Sequence, residues 1–268
     1  MILFTHERTR ILSLLIVAAL LLPVGTFTLG QVTTLYRGSP VYHCDVINSY
    51  PHDYTAYTQG LVIHDGQLFE GTGRYGKSSL RKVDLETGEV LNKIDLTSNR
   101  FGEGIAIFNS RIYQLTWRAG EAYVYDLDSF ERIGQFHYSG EGWGITHDGE
   151  HLITSDGSAN LTIRDPETFS VESTIPVWDT NGSVNGLNEL EYIDGFIYAN
   201  LYPTDLIARI DPISGEVKAW LYLEGLLDAE SPDGRAEVLN GIAYDSATGK
   251  MYLTGKYWPR LYEVEIIE

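Results

Sequence analysis

Glu70 lies between Phe69 and a run of small residues, Gly71-Thr72-Gly73, a setting in which an ionised carboxylate is costly to bury. Such a group is either held by structural partners or kept for proton transfer. Other polar groups recur beside five short motifs: TQGL (Thr58–Leu61), GEGI (Gly102–Ile105), GWGI (Gly142–Ile145), NELEY (Asn188–Tyr192) and NGIAY (Asn240–Tyr244). They carry Gln59, Glu103, Trp143, Asn188, Glu189 and Asn240, while Trp117 and Lys256 follow nearby apolar stretches. Carboxylates, amides, indoles and one lysine, if brought together, would make a small-molecule pocket with aromatic walls. Metal chemistry is not indicated. The seven histidines form no HExxH or His-x-His motif, and Cys44 is the only cysteine, which also excludes an intramolecular disulfide.

The spacing of the motifs says what must position these residues. They recur at roughly 40 to 50 residues, the period of a β-propeller blade. Each motif leads through a turn into a second strand: Gly66–Gly73, Arg111–Trp117, His151–Gly157, Phe196–Tyr202 and Lys250–Lys256. A third strand then ends at an acidic residue and a turn. Asp84, Asp126, Asp165 and Asp211 recur at that place and read as turn-capping residues. The last repeat stops after its third strand, at Arg260–Ile267, and the strand-like Val41–Tyr50 can supply the missing fourth. The expected fold is therefore all-β, a five-bladed β-propeller closed by an N-terminal strand that hides sheet edges. In that geometry the starts of the first strands share a rim with the ends of the second strands. The rim gathers the motif residues with Glu70, Thr72, Trp117, Ser155, Asp156, Asn200, Tyr202 and Lys256.

The 268-residue chain carries 37 acidic and 19 basic residues, a formal charge of −18, with 27 glycines and 18 tyrosines. So acidic a surface argues against nucleic acid and anionic membrane as partners. Glycine and tyrosine suit many short strands joined by tight turns. Arg8 and Arg10 precede an uncharged run from Ile11 to Gly30, the pattern of an export signal or a membrane anchor. The expected organisation is a signal peptide or anchor over 1–30, a linker over 31–40 and the propeller over 41–268. That makes the protein extracytoplasmic, secreted or anchored by its N-terminal segment.

The chain resembles the plant and bacterial (papaya-like) glutamine cyclotransferases from about Val41 to Ile267. The resemblance rests on YPHDYTAYTQGL (Tyr50–Leu61), FEGTGRYGKSSLRKVDLETG (Phe69–Gly88), FGEGIA (Phe101–Ala106) and YQLTW (Tyr113–Trp117). It continues in GWGITHDGEHLITSDGS (Gly142–Ser158), LNELEYIDGFIYAN (Leu187–Asn200), LNGIAYD (Leu239–Asp245) and TGKYWPRLYEV (Thr254–Val264). It implies a five-bladed propeller that cyclises the N-terminal glutamine of peptides or proteins to pyroglutamate and releases ammonia. It implies no catalytic metal and no cofactor, with a structural calcium left open, and a monomer acting on peptides. It also implies that Glu70 is the acid/base carboxylate, although Gly71 stands where the family has serine and Arg118 where it has lysine.

Ring closure within one residue mostly requires holding a rotamer, so the difficult part is proton traffic. One carboxylate can take the amine proton and deliver it to the leaving nitrogen, and Glu70 is the expected shuttle. Trp117, Asn240 and Lys256 are expected to donate N–H groups to the tetrahedral oxygen. Gln59, Glu103, Asn188 and Glu189 are expected to hold the amine and the side-chain amide, with Trp143 as a wall. Two alternatives stay open: a non-catalytic extracytoplasmic propeller that binds peptides or glycans, and a calcium-dependent propeller hydrolase.

Overall fold

The computed structural model describes residues 38–227 and 232–268. The expected N-terminal signal or anchor and most of the linker lie outside the described residues. The described chain begins with β1 (Val41–Pro51), and the rest is strand and turn with no helix.

Meanders of antiparallel strands follow in chain order. The first is β2 (Thr58–His64), β3 (Gln67–Thr72), β4 (Ser79–Val83) and β5 (Val90–Asp95). Next come β6 (Gly102–Phe108), β7 (Arg111–Thr116), β8 (Glu121–Asp126) and β9 (Arg132–His137). The third is β10 (Ile145–His147), β11 (Leu152–Thr154), β12 (Asn160–Arg164) and β13 (Val171–Pro176). A short hairpin, β14 (Trp178–Asp179) and β15 (Gly182–Ser183), leads to β16 (Leu187–Ile193), β17 (Phe196–Leu201), β18 (Leu206–Ile210) and β19 (Val217–Tyr222). The chain ends in β20 (Leu239–Asp245), β21 (Lys250–Gly255) and β22 (Arg260–Ile267).

β1 completes the last meander. It pairs antiparallel with β22 from His43↔Ile267 to Pro51↔Arg260, with one bulge between Val46 and Asn48. Its first residues also pair in parallel with β19, Val41↔Trp220 and Tyr42↔Leu221, which joins the last two meanders into one eight-stranded sheet. The sequence pattern called for the first pairing but gave no sign of the second. Tyr50 donates to Glu263 Oε2 at 2.8 Å and pins the far end of β1 to β22.

The first strand of each meander lies innermost. β2 packs against β6 and β20, β6 against β10, β10 against β16, and β16 against β20, so the inner strands neighbour one another in a closed ring. Every residue of β6 but the last is buried, whereas β5 and β9 at the periphery are mostly exposed. The core lies between meanders, where fully buried side chains such as Leu61, Ile105, Ile112 and Leu253 interlock. Each such side chain contributes about 1.5–3 kcal/mol relative to exposure. At one end of the ring the inner strands almost touch. A Cβ on Gly60 would lie 2.3 Å from the Ile105 nitrogen, and one on Gly144 would lie 2.0 Å from the Asn188 oxygen. Only glycine permits that approach. At the outer turns, Oδ1 of Asp84, Asp126, Asp165 and Asp211 accepts the backbone N–H three residues on, at 2.7–2.9 Å, as turn-capping side chains do.

Candidate functional site

Four inner strands carry a bulge at the same place. The register shifts between Thr58 and Gly60 in β2, Gly102 and Ile105 in β6, Leu187 and Leu190 in β16, and Leu239 and Ile242 in β20. Each shift leaves one residue more on the inner strand than on its partner. A bulge re-aims a side chain without breaking the sheet. Gln59, Glu103, Asn188, Glu189 and Asn240 all lie within these bulges, so the local backbone turns a repeated sequence motif into a ring of polar groups at one end of the inner strands.

A cavity of about 180 Å³ opens at that end. It is smaller than the ~300–1,000 Å³ pockets that take drug-sized ligands and suits a single residue. Gln59, Glu103, Asn188 and Lys256 supply its polar groups, and Tyr57, Phe101, Trp117, Trp143 and Tyr202 its aromatic walls, with Arg74 at the edge. The rings brace one another edge to face, with centroids 6.0 Å apart for Tyr57–Phe101, 5.5 Å for Phe101–Trp117 and 5.8 Å for Trp143–Tyr202. The Arg74 guanidinium lies 3.9 Å from the centre of the Tyr57 ring.

Glu103 and Lys256 are both buried, 4% and 3% exposed. Burial pushes the Glu103 carboxyl well above the usual range, and the charge on Glu141 adds to this. Lys256 and a hydrogen bond from Gln59 oppose the shift without cancelling it. Burial pulls Lys256 down to about 8, although Glu103 and Glu237 hold it up in part. Burial thus moves the two groups toward each other, the Glu103 carboxyl upward and the Lys256 ammonium downward to about 8. The Lys256 nitrogen also lies 5.0 Å from the Tyr57 ring centre and 4.8 Å from that of Tyr202, between two aromatic faces that favour its charged form. Asn188 Oδ1 is buried and has no hydrogen-bond partner among the described residues. A buried acceptor left unpaired is costly unless a ligand satisfies it.

A larger cavity, about 430 Å³, opens at the opposite end of the inner strands and includes His64, Phe108, Thr146, His147 and Glu191. Burial pushes Glu191 up to about 8. This cavity contains none of the nine predicted site residues, whereas the smaller one contains six of them.

A model of the family described as glutamine cyclotransferase matches residues 17–266. The chain belongs to the glutamine cyclotransferase family. It is 38% identical over 251 residues to a glutaminyl-peptide cyclotransferase of Arabidopsis thaliana, covering 91% of this chain and 78% of that protein. Its fold matches the crystal structure of Myxococcus xanthus glutaminyl cyclase with a TM-score of 0.79 and 36% identity, covering 84% of this chain and 97% of the other.

Against the expectations drawn from resemblance to this cyclotransferase family, the geometry divides the candidates. Gln59, Glu103, Trp117, Trp143, Asn188 and Lys256 line the cavity, and Glu70, Glu189 and Asn240 do not. Glu70 is 1% exposed, and its carboxylate is already engaged. His52 Nε2 lies 3.2 Å and the Thr58 hydroxyl 2.8 Å from Oε1, and Arg81 Nη1 lies 3.7 Å from Oε2. His52 Nδ1 meets the Trp258 carbonyl at 2.7 Å, and Arg81 continues to Asp53 at 2.7 Å. Burial pushes the Glu70 carboxyl up, but His52, Arg81 and Thr58 outweigh it and leave it below the usual range. This network fastens the loop after β1 to β2, β3, β4 and the turn before β22. Gly71, beside Glu70, serves the neighbouring strand: a Cβ there would lie 2.7 Å from the Glu103 carbonyl oxygen.

Glu189 accepts the N–H groups of Leu61 at 3.2 Å and Ile242 at 2.8 Å, so it ties three inner strands together. Asn240 donates to the Thr58 carbonyl at 3.0 Å and to Gln59 Oε1 at 3.3 Å, which orients Gln59 from behind. The Trp117 indole N–H is not free for a tetrahedral oxygen, because it donates to Glu141 Oε2 at 2.7 Å. Sequence reasoning passed over Tyr57, Arg74 and Phe101. The repeat held the signal for two of them, since Tyr57 and Phe101 each stand directly before a bulged inner strand.

Proposed function

We propose that the protein is a glutaminyl-peptide cyclotransferase that works without a metal ion, with Glu103 as the proton relay. The observation that carries this reading is that buried Glu103 and Lys256 line one residue-sized, aromatic-walled cavity, beside the unpartnered acceptor of Asn188. Family membership supports the reaction class.

An N-terminal glutamine enters with its side chain between the aromatic rings. Its α-amine, with an ordinary pKa of about 8, arrives partly neutral near pH 8. Asn188 Oδ1 accepts an N–H of the substrate, and Gln59, held by Asn240, fixes the amide. The amine attacks the side-chain carboxamide carbon and forms the new C–N bond. The carbonyl oxygen becomes an alkoxide facing the Lys256 ammonium. The protonated carboxyl of Glu103 gives its proton to the departing nitrogen, and its other oxygen takes one from the attacking nitrogen. The old C–N bond breaks, ammonia leaves, and Glu103 ends protonated as it began. Confinement of both reacting groups in one residue supplies much of the rate, because no bimolecular encounter remains at the chemical step.

The basic and apolar N-terminal segment supports an extracytoplasmic site of action, in which the protein, as a monomer, processes exported peptides. Cell fractionation with a tagged full chain tests that assignment; recovery in the cytoplasmic fraction contradicts it. The reaction itself is tested by mass spectrometry of a Gln-initiated peptide, with chelator present. Loss of one ammonia is expected, and activity that chelator abolishes and zinc restores contradicts the metal-free mechanism.

A further inference from the structure

The two indoles that wall the cavity come from different parts of the ring. Trp117 follows β7, and Trp143 precedes β10. One carboxylate holds both. Glu141, in the connection between β9 and β10, accepts the Trp117 N–H at 2.7 Å and the Trp143 N–H at 3.0 Å on the same oxygen, Oε2. Its other oxygen accepts Arg118 Nε at 2.9 Å. The Arg118 guanidinium in turn lies 3.8 Å from the centre of the Trp117 ring. A planar guanidinium can stack and donate in this way at once, which an ammonium cannot.

We infer that Glu141 is a positioning residue that sets the width of the glutamine slot by clamping Trp117 and Trp143, with Arg118 locking the clamp from outside. The inference rests on the cyclotransferase reading for its kinetic consequence. Hydrogen bonds to a charged acceptor are shorter and stronger than neutral ones, so three converging on one carboxylate hold two large rotors against thermal motion. The side chain lies at the rim and does not line the cavity, so it bears on the glutamine side chain through the rings, apart from the effect of its charge on Glu103. Loss of the clamp therefore weakens binding of the glutamine side chain more than it slows the proton transfers at Glu103.

The test combines Glu141→Ala, Glu141→Asp and Glu141→Gln. Alanine removes the acceptor, aspartate keeps the charge but cannot reach both indoles, and glutamine keeps an oxygen for the indoles while losing the pairing with Arg118. For a Gln-initiated peptide, Ala and Asp are expected to raise KM about tenfold or more, with kcat within about threefold in Asp, which keeps the charge that bears on Glu103, and Gln, which keeps a neutral acceptor for the indoles, is expected to give a KM between those of wild type and Ala. Near-UV circular dichroism from the indoles should weaken in the Ala and Asp proteins and persist in the Gln protein, with far-UV spectra and melting temperature unchanged. If Ala fails to fold, the Asp and Gln proteins carry the comparison. Unchanged KM and unchanged near-UV signal in Ala or Asp overturn the clamp, and so does a Gln protein as impaired as Ala. If the wild type forms no pyroglutamate, the reaction assignment fails, while the near-UV comparison still decides whether Glu141 orders the indoles.

Discussion

Replacing Glu70 by glutamine should cost the protein stability and leave its chemistry almost intact. The substitution keeps the shape and can keep the bond from the Thr58 hydroxyl. It removes the charge that faces His52 at 3.2 Å and Arg81 at 3.7 Å. Breaking a buried ion pair from one side costs ~3–5 kcal/mol, because the remaining charge is left uncompensated. Here the lower end applies, since His52 can shed its proton once Glu70 is neutral and Arg81 keeps Asp53 at 2.7 Å. In a domain of this size ~1 kcal/mol corresponds to ~2–4 °C, so a loss of ~3 kcal/mol lowers the melting temperature by ~6–12 °C. The effect should depend on pH with a definite sign. Burial pulls His52 down, but the charge and hydrogen bond of Glu70 raise it above its ordinary 6.5, so its contribution is complete below that value and is lost as pH rises through the folded pKa. Glu70 is lowered from 4.5, so its contribution is complete above that value and is lost as pH falls through the folded pKa. The difference in melting temperature between wild type and Glu70→Gln should therefore be largest between about pH 4.5 and pH 6.5 and shrink on either side. Melting curves across that range, with kcat measured well below both melts, check the argument. A kcat loss of ~100-fold or more with an unchanged melt would refute it and return the proton relay to Glu70.

Glu103→Gln should lower kcat ~100- to 10,000-fold in a steady-state ammonia-release assay, because an amide cannot relay the proton, with the melting temperature unchanged or raised, because burial already disfavours a charged carboxylate there. Lys256, pulled down to about 8, should give the pH–rate profile an alkaline limb near that value, and Lys256→Arg, which does not titrate there, should flatten the limb even if the overall rate falls. Deleting residues 1–30 should leave a folded enzyme by thermal melt, whereas deleting 1–50 strips β22 and β19 of their shared partner and should abolish cooperative unfolding.

The architecture was legible because each repeat spells its own punctuation. Glycine- or asparagine-containing inner strands, acidic turn residues such as Asp84 and Asp211, and a final repeat short of one strand pointed to the meanders and to β1 as the closing element. The parallel pairing of Val41 and Tyr42 with β19 was not legible, since nothing in an isolated strand says which second edge it will meet. Six of the nine candidate residues line one cavity because they sit at the starts of first strands or just past the ends of second strands. The sequence reading ranked Glu70 above Glu103 as the proton shuttle, although both are carboxylates beside glycines. What separates them is a partner set contributed by distant segments, His52, Thr58 and Arg81 for one, Gln59 and Lys256 for the other. Glu141 escaped notice for a similar reason: its meaning lies in two indole N–H groups that the fold brings to one oxygen.

The most direct test sets wild type, Glu103→Gln and Glu70→Gln side by side on one Gln-initiated peptide, with pyroglutamate formation followed by mass spectrometry. The account predicts rapid loss of ammonia with wild type and Glu70→Gln, and almost none with Glu103→Gln. Full activity in Glu103→Gln, or an inactive wild type, would contradict it.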